Sequence, residues 1–445
     1  MSNATPCVTR FAPSPTGNVH IGNIRVAIFN WLFARHYGGQ FLLRIEDTDR
    51  KRSTPEAVQA VLNAMEWLGL TQDETPLYQS TRLNSHLEVV EKLLASGHAY
   101  REDKGQTGQG EAIVFRMPGA DMKFKDEVKG ELRKAAKDIP DFVIVRSNGA
   151  PVFHLANVVD DIHMGITHVI RGDDHVENTF RHLALYQALG ADIPHFAHLP
   201  MIVSKQGKPY SKRDGDAYVG DFRDQGYLAN ALFNYLALLG WNPGDEREIF
   251  DRDELIETFG LDRVQPSAAQ MDPKKLEWIN GEHMRRLPWE EYRDGICNDL
   301  ESNGWVHADT DPMYLDKVIE IMGDRIKRWS DASTQTVYFF TDDFPIDEKA
   351  VKKRLLKEGA LDRLAKLRNR FAMVESFCHA SLEEALQRLA SEMQMGAGLF
   401  IHPVRVATSG SGVGPSLYEM LEVLGRDRVL QRIDQAIERF SQIRP

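Results

Sequence analysis

The stretch from Cys7 to Ile45 constrains this chain more than any other. Cys7 to Ala12 reads as a short strand, and Pro13-Ser14-Pro15-Thr16-Gly17-Asn18 is a cluster of turn residues. A helix follows: Ile24, Ala27, Ile28, Trp31 and Leu32 recur at the spacing of one buried helical face, and Gly38-Gly39 ends it. Phe41 to Ile45 is then an apolar run of strand length. Strand, helix and strand in so short a span form a βαβ crossover, whose strands lie parallel and whose hand is right. The chain therefore opens an α/β fold built on a parallel sheet.

Composition sets the outer limits. At 445 residues and 50.5 kDa the chain exceeds one core, so two to four domains are expected. With 42% apolar and 27% charged residues it is neither a membrane protein nor a disordered one. No run approaches the ~18 apolar residues of a membrane span. The N-terminus MSNATPCVTRF lacks the basic and apolar regions of a signal peptide. Cys7, Cys297 and Cys378 lie too far apart in sequence for a disulfide framework or a CxxC metal site, which points to a reducing cytoplasm. The net charge of −11 excludes a generic nucleic-acid coat, so any nucleic-acid contact must use local basic patches.

Further along, Thr54-Pro55 starts a helix with Val58, Val61, Leu62 and Met65 on one face, and a helix over 85–96 ends at Gly97. Residues 98–165 change character and read as an insertion. Gly105-Gln106-Thr107-Gly108-Gln109-Gly110 follows no strand and reads as a plain connection rather than a dinucleotide loop. Phe142-Val143-Ile144-Val145 and Val152-Phe153-His154-Leu155 flank Asn148-Gly149 and predict a hairpin. The α/β pattern resumes with a strand at 166–170, a helix at 178–189, a strand at 198–203 and a polar loop over 204–216. Helices then dominate: 227–239, 314–328, 349–375, 381–394, 416–424 and 426–440. Within 349–370, nine Lys or Arg face two acids, a local net charge of +7 in a chain of −11. That segment reads either as a solvated helix face or as a phosphate-contact surface.

Two clusters carry chemistry. In Arg10-Phe11-Ala12-Pro13-Ser14-Pro15-Thr16-Gly17-Asn18-Val19-His20-Ile21-Gly22-Asn23, the residues His20, Gly22 and Asn23 sit where the turn enters the helix. A helix N-terminus offers unpaired N–H groups and a partial positive charge, which suit phosphate. Gly22 permits close approach of a nucleotide, and His20 can donate to phosphate oxygens. The second cluster, Lys205-Gln206-Gly207-Lys208-Pro209-Tyr210-Ser211-Lys212-Arg213, puts four cations on a glycine-bearing loop after a strand. Alone it is an exposed basic loop; on one sheet with the first cluster it can close over a triphosphate.

Together these residues resemble the class I aminoacyl-tRNA synthetases of the glutamyl group. RFAPSPTGNVHIGN is similar to the class signature in its glutamyl form, and KPYSKR is similar to the K-M-S-K-S loop. The resemblance continues through Arg44-Ile45-Glu46-Asp47, His154-Leu155-Ala156-Asn157, Val169-Ile170-Arg171-Gly172-Asp173-Asp174, Lys275-Leu276-Glu277-Trp278 and Pro403-Val404-Arg405, and so spans nearly the whole chain. It implies a Rossmann-type parallel-sheet catalytic domain over 1–97 and 157–216. An α+β acceptor-binding subdomain, shortened here, is inserted at 98–156. A helical stem-contact domain over 217–309 and an all-α anticodon-binding domain over 310–445 would follow. The implied activity is ATP-dependent attachment of L-glutamate to tRNA(Glu) through a glutamyl-adenylate, in a cytoplasmic monomer.

The resemblance also implies site residues. His20 and Lys212 would stabilise the reacting phosphate, with Gly22, Asn23, Asp174, Ser211 and Arg213 also at ATP. Arg10 and Arg171 would meet substrate carboxylates and Glu46 the ammonium, with Ala12, Ser14, Phe153 and Asn157 lining the same pocket. Lys352, Lys353, Arg354, Arg368 and Arg405 are the expected tRNA contacts. Mg²⁺ would accompany ATP without a protein site of its own. The insertion lacks the cysteine and histidine ligands of zinc-bearing members, so no zinc is expected. The chain departs from the family in having Pro209-Tyr210 where Lys-Met or Lys-Leu is usual, and Phe153 where Tyr is common. A non-discriminating enzyme that also charges tRNA(Gln), or a regulatory tRNA-binding paralogue, remains the alternative.

Overall fold

Residues 7–49, 52–103 and 111–442 are described by a computed structural model; the glycine-rich connection 105–110 lies outside them. They form two compact units, one ending at Ile279 and the other beginning at Asn280.

In the first unit, β1 (Val8–Phe11) leads into α1 (Ile21–His36), and β2 (Gln40–Ile45) returns parallel to β1 with Val8 opposite Gln40. α1 is buried almost all round rather than on one face, because helices Ala229–Leu238 and Arg252–Thr258 also pack against it. α2 (Pro55–Trp67) starts with Thr54 accepting from the Ala57 N–H, and β3 (Leu77–Tyr78) adds to β2. α3 (Leu83–Ala95) follows. β4 (Ala99–Glu102) and β5 (Ala112–Phe115) belong to a small antiparallel sheet; β6 (Met122–Asp126) and β7 (Gly130–Lys134) form a hairpin; β8 (Phe142–Val145) completes the small sheet beside β5. After α4 (Phe153–His163) come β9 (His168–Gly172), α5 (Val176–Ala188) and β10 (His195–Leu199), with β9 and β10 parallel in register from His168 opposite His195. β6 pairs with β10 through Asp126 and Phe196, so the hairpin extends the main sheet.

The two halves of that sheet meet at β1 and β9. The Val8 N–H donates to Thr167 Oγ1 (2.8 Å), and the Thr167 N–H returns to the Val8 carbonyl (3.0 Å). Asn30 on α1 donates to the Ile170 carbonyl (3.0 Å) while its own carbonyl accepts from Thr9 Oγ1 (3.0 Å). The two sheets, β3-β2-β1 and β9-β10-β6-β7, thus lie side by side with β1 next to β9. The chain leaves β1 toward one edge and later returns to fill the other side, which creates a switch point.

Several expectations change. The predicted return strand 152–155 is instead the start of α4. The turn at Asn148-Gly149 does form, with the Arg146 N–H donating to the Ala150 carbonyl, and Val145 bridges Pro151. The return arm then ends, because a short apolar run fits a helix start as well as a strand. The 198–203 strand divides into β10 and a two-residue β11 (Ile202–Val203) around Pro200 and Met201. The 349–375 helix breaks into Glu348–Arg354 and Ala360–Ala372, with Gly359 left-handed at φ 63° between them. Helices Pro273–Arg285, Trp289–Ser302 and Gly398–Ser409, the last with Pro403 inside, were not anticipated. The second unit is helical throughout its described residues.

The β1–β2 junction offers a test. A Cβ on Gly39 would lie 2.0 Å from the Cys7 carbonyl oxygen, whereas one on Gly38, at φ 60°, would meet open space. Gly38→Ala should cost about 1–2 kcal/mol for a left-handed side chain. Gly39→Ala must separate two paired strands and should cost more, as measured by denaturant unfolding. The reverse order would contradict the close approach.

Candidate active site

A cavity of about 600 Å³ opens at the carboxyl ends of β1, β9 and β10, where the sheet switches direction. Arg10, Ala12, Ser14, His20, Gly22 and Asn23 line it from the β1–α1 turn. Glu46 reaches it from the end of β2, Phe153 and Asn157 from α4, and Arg171 and Asp174 from the end of β9. The fold therefore gathers eleven of the predicted site residues on one cavity.

At one end the charges are paired within the protein. Arg10 Nε donates to Asp161 Oδ1 at 3.1 Å and Nη2 to Oδ2 at 3.4 Å, which leaves Nη1 unused. Arg44 joins Asp161 to Glu46, donating to Glu46 Oε1 at 3.1 Å. Asn157 Nδ2 also donates to Glu46 Oε1 (3.1 Å), and the buried Asn157 Oδ1 has no partner. Glu46 Oε2 and Asn157 Oδ1 thus form an acceptor pair suited to an ammonium group.

Arg171 is arranged differently. It is 6% exposed and makes no ion pair among the described residues. Its Nε donates to His198 Nε2 (3.2 Å), Nη1 to His182 Nδ1 (3.4 Å), and Nη2 to Thr179 Oγ1 (2.7 Å) and the His175 carbonyl (3.4 Å). Burial, then the charge of Arg10, brings its guanidinium down to about 10. A buried cation held by neutral acceptors favours an anionic ligand. The convergence of His154, His175, His182 and His198 on this arginine was not legible in the sequence, because the four come from α4, α5, β10 and the turn after β9. Phe153 packs its ring within 5.7 Å of three of them and contributes no hydroxyl.

The other end is the N-terminus of α1, whose unpaired N–H groups suit an anion. His20 caps α1, its Nδ1 accepting from the Gly22 N–H at 3.0 Å, so the neutral ring carries its proton on Nε2. Burial lowers its pKa, against a hydrogen bond with the Tyr210 backbone. Pro209 and Tyr210 border the cavity, but Ser211, Lys212 and Arg213 do not line it. The loop folds back through the Ser204 N–H to the Lys208 carbonyl, and Tyr210 is buried in the main core. Ser211 is tied to Asp214 through its N–H and Oγ (3.0 and 2.9 Å). Lys212 Nζ lies 5.5 Å from the Tyr218 ring centroid, and that ring stands edge-on to His20. Lys208 is exposed.

In the second unit, Lys352 and Lys353 are exposed on their helix. Burial, then Arg354, Arg405 and Lys353, lowers the pKa of His402, which sets these cations around one imidazole. Arg368 is different: it forms a forked pair with Asp434 at 2.8–3.2 Å. Among the described residues no three His, Cys, Asp or Glu side chains could hold a metal ion, and no helix is long and apolar enough to cross a membrane. The three cysteines are free thiols, and burial pushes Cys7 up to about 11.

Comparison with known proteins identifies the family. The model described as tRNA synthetases class I (E and Q), catalytic domain, matches residues 6–107 and 102–278, and an anticodon binding domain model matches 287–437. The chain belongs to the class I glutamyl and glutaminyl tRNA synthetases. It is 38% identical to glutamate–tRNA ligase 2 of Thermoanaerobacter pseudethanolicus, covering 98% of each chain, and 40% identical to the glutamate–tRNA ligase of Methylacidiphilum infernorum, covering 96% of this chain and 97% of that one. A solved glutamate tRNA ligase from Elizabethkingia meningosepticum, in complex with its amino acid, superposes with a TM-score of 0.83 at 29% identity, over 97% of this chain and 99% of that chain.

The imidazole cluster makes this synthetase sensitive to acid. Burial, then the Arg171 charge, lowers His182 well below the ordinary 6.5, and burial, then the Arg181 and Arg171 charges, brings His154 to about 4. These groups take up protons on unfolding, so stability is present above pH 6.5 and is lost as pH falls toward 4. Melting temperature should fall steeply between pH 6.5 and 4.5; a flat profile would show that the cluster is already charged.

Proposed function

We infer that the protein is a glutamate–tRNA ligase that activates L-glutamate with ATP and transfers it to the 3′ end of tRNA(Glu). The observation that carries this reading is Arg171: a buried guanidinium with no carboxylate partner, in the same cavity as the Glu46–Asn157 acceptor pair. Glutamate supplies the missing carboxylate. Glutamine would leave the cation poorly paired, which favours the acid over the amide.

The substrate brings its own nucleophile. Its α-carboxylate oxygen attacks the α-phosphorus of ATP, the bond to the β-phosphate bridging oxygen breaks, and pyrophosphate leaves. A ribose hydroxyl of the tRNA end then attacks the acyl carbon and AMP departs. The protein positions the reactants and relieves phosphate charge. Glu46 and Asn157 hold the ammonium, Arg10 and Arg171 meet the carboxylates, and His20 turns its Nε2–H from the Tyr210 backbone to phosphate beside the α1 N-terminus. Gly22, Asn23 and Asp174 border the nucleotide. Lys212, with Ser211 and Arg213, comes to the phosphates when the loop moves over them. Mg²⁺, when bound with ATP, would neutralise phosphate charge, and no side chain of this chain is assigned to hold it.

We assign the catalytic domain to 1–97 and 157–216, the acceptor-binding insertion to 98–156, the stem-contact domain to 217–309 and the anticodon-binding domain to 310–445. In the last of these, Lys352, Lys353, Arg354 and Arg405 contact tRNA phosphates, and Arg368 does so only if it leaves Asp434. The protein acts as a cytoplasmic monomer.

Aminoacylation of total tRNA with labelled glutamate tests the activity, and the charged isoacceptors show whether tRNA(Gln) is also a substrate. No charging of tRNA(Glu) would overturn the reading. In rapid-quench assays, Lys212→Ala should slow adenylate formation by about 10²–10³-fold, the scale of one lost electrostatic contact. Lys208→Ala, at an exposed position, should cost under ~10-fold by the same scale. The reverse order would shift the phosphate role to Lys208. Zinc has no part in this site: elemental analysis should give far less than one zinc per chain, and activity should survive chelation once Mg²⁺ is restored. Stoichiometric zinc would refute that.

A further inference from the structure

The hydrogen bonds around Arg171 fix the protonation of its neighbours. Arginine Nε always bears a hydrogen and can only donate. His198 Nε2 lies 3.2 Å from this donor and 3.0 Å from Thr179 Oγ1, a hydroxyl that can also donate, so a bare Nε2 with the ring proton on Nδ1 satisfies both contacts. That proton points at Asp126 Oδ2, 2.6 Å away. Asp126 and His198 are 1% and 0% exposed, so no water competes for the pair. Asp126 is itself fixed, accepting from the Val128 and Lys129 N–H groups at 3.0 and 2.9 Å. It stands on β6, the inserted hairpin strand, and reaches His198 across the β6–β10 pairing.

We propose that Asp126 and His198 form a positioning relay for Arg171. The carboxylate locks the imidazole in the Nδ1–H form, and the bare Nε2 aims the guanidinium at the cavity without neutralising it. A carboxylate placed directly on Arg171 would orient it equally well, but would satisfy its charge and weaken selection of an acidic ligand. The intervening neutral ring separates orientation from charge compensation. Arg171 selects the acidic side chain, and the inserted hairpin sets where Arg171 points. This rests on the glutamate reading above and extends it to two residues that touch no substrate.

The test uses the full-length enzyme and two substitutions. His198→Asn keeps a donor near Asp126 but removes the acceptor for Arg171. His198→Gln can place its amide oxygen where Nε2 was. His198→Asn should raise KM for glutamate roughly 10- to 100-fold, the scale of an acceptor lost from a charged donor, with KM for ATP within about 2-fold. Preference for glutamate over glutamine should fall with it. His198→Gln should recover most of the glutamate KM. Equal effects of both substitutions on glutamate and ATP would reduce His198 to a packing residue. Selective ¹⁵N-histidine NMR of the unaltered protein gives a measurement independent of variant folding: Nδ1 protonated and Nε2 bare is expected at pH 7.5, and the opposite tautomer or an imidazolium would overturn the relay. If the unaltered enzyme charges glutamate while His198→Asn leaves its KM unchanged, the relay fails and the function stands. If the unaltered enzyme does not charge glutamate, the function itself fails.

Discussion

Asp161 is the carboxylate on which the catalytic unit is assembled. It accepts from Arg10 on β1 and Arg44 on β2, and all three side chains are nearly inaccessible to water. Burial alone would raise its pKa; the two guanidiniums outweigh burial and hold it below the usual carboxylate range. Breaking such a buried pair from one side costs about 3–5 kcal/mol, because a charge is stranded. The neighbouring Asp160 turns the other way and accepts from Gln79, Arg82 and His86. Two adjacent acids on α4 therefore fasten that helix to the first two strands on one side and to the approach to α3 on the other. The cavity lies above this junction, so its geometry follows from the ion pairs beneath it.

Arg44, Arg10 and Arg171, all buried, differ in what compensates them. Arg44 meets two carboxylates, and its pKa is raised despite complete burial. Arg10 shares one carboxylate and keeps Nη1 for the cavity. Arg171 has none and is brought down to about 10. An uncompensated buried cation is costly in the empty protein, and a ligand carboxylate offsets that cost. Arg25, equally buried at the cavity, also lacks a carboxylate but is tied to the Leu239 and Pro200 carbonyls, so these arginines are distinguished by their partners and not by burial, which they share.

The anticodon-side unit applies the same distinction. Of the cations in 349–370, Arg363 is buried against the Glu358 carbonyl, and Arg368 and Arg370 are paired with Asp434 and Glu392. The concentrated charge read along the chain is therefore partly spent inside the fold. What remains outward, around Lys353, Arg354, His402 and Arg405, combines two helices distant in sequence. Arg405 keeps a buried Nη1 with no hydrogen-bond partner.

The sequence by itself determined the parallel-sheet opening, the helix N-terminus at His20 and the cavity residues nearest the strand ends. Each of these is local: a period of apolar residues, a turn cluster and a strand terminus are written in consecutive positions. The hairpin β6–β7 went unread, although Met122, Phe124 and Asp126 alternate inward against outward Lys123 and Lys125, and its place on the main sheet has no local signal. Tertiary structure alone decided that Val152 to Leu155 would enter a helix, that Tyr210 would anchor the basic loop in the core, and that Arg368 would be consumed by Asp434. It also decided that histidines from separate elements would enclose Arg171 and that Asp126 would reach it through His198. Such contacts join residues tens of positions apart, and their hydrogen-bond polarity is fixed only when donors and acceptors meet in a space that excludes water. A linear pattern carries the identity of those groups; the packed fold alone assigns their partners.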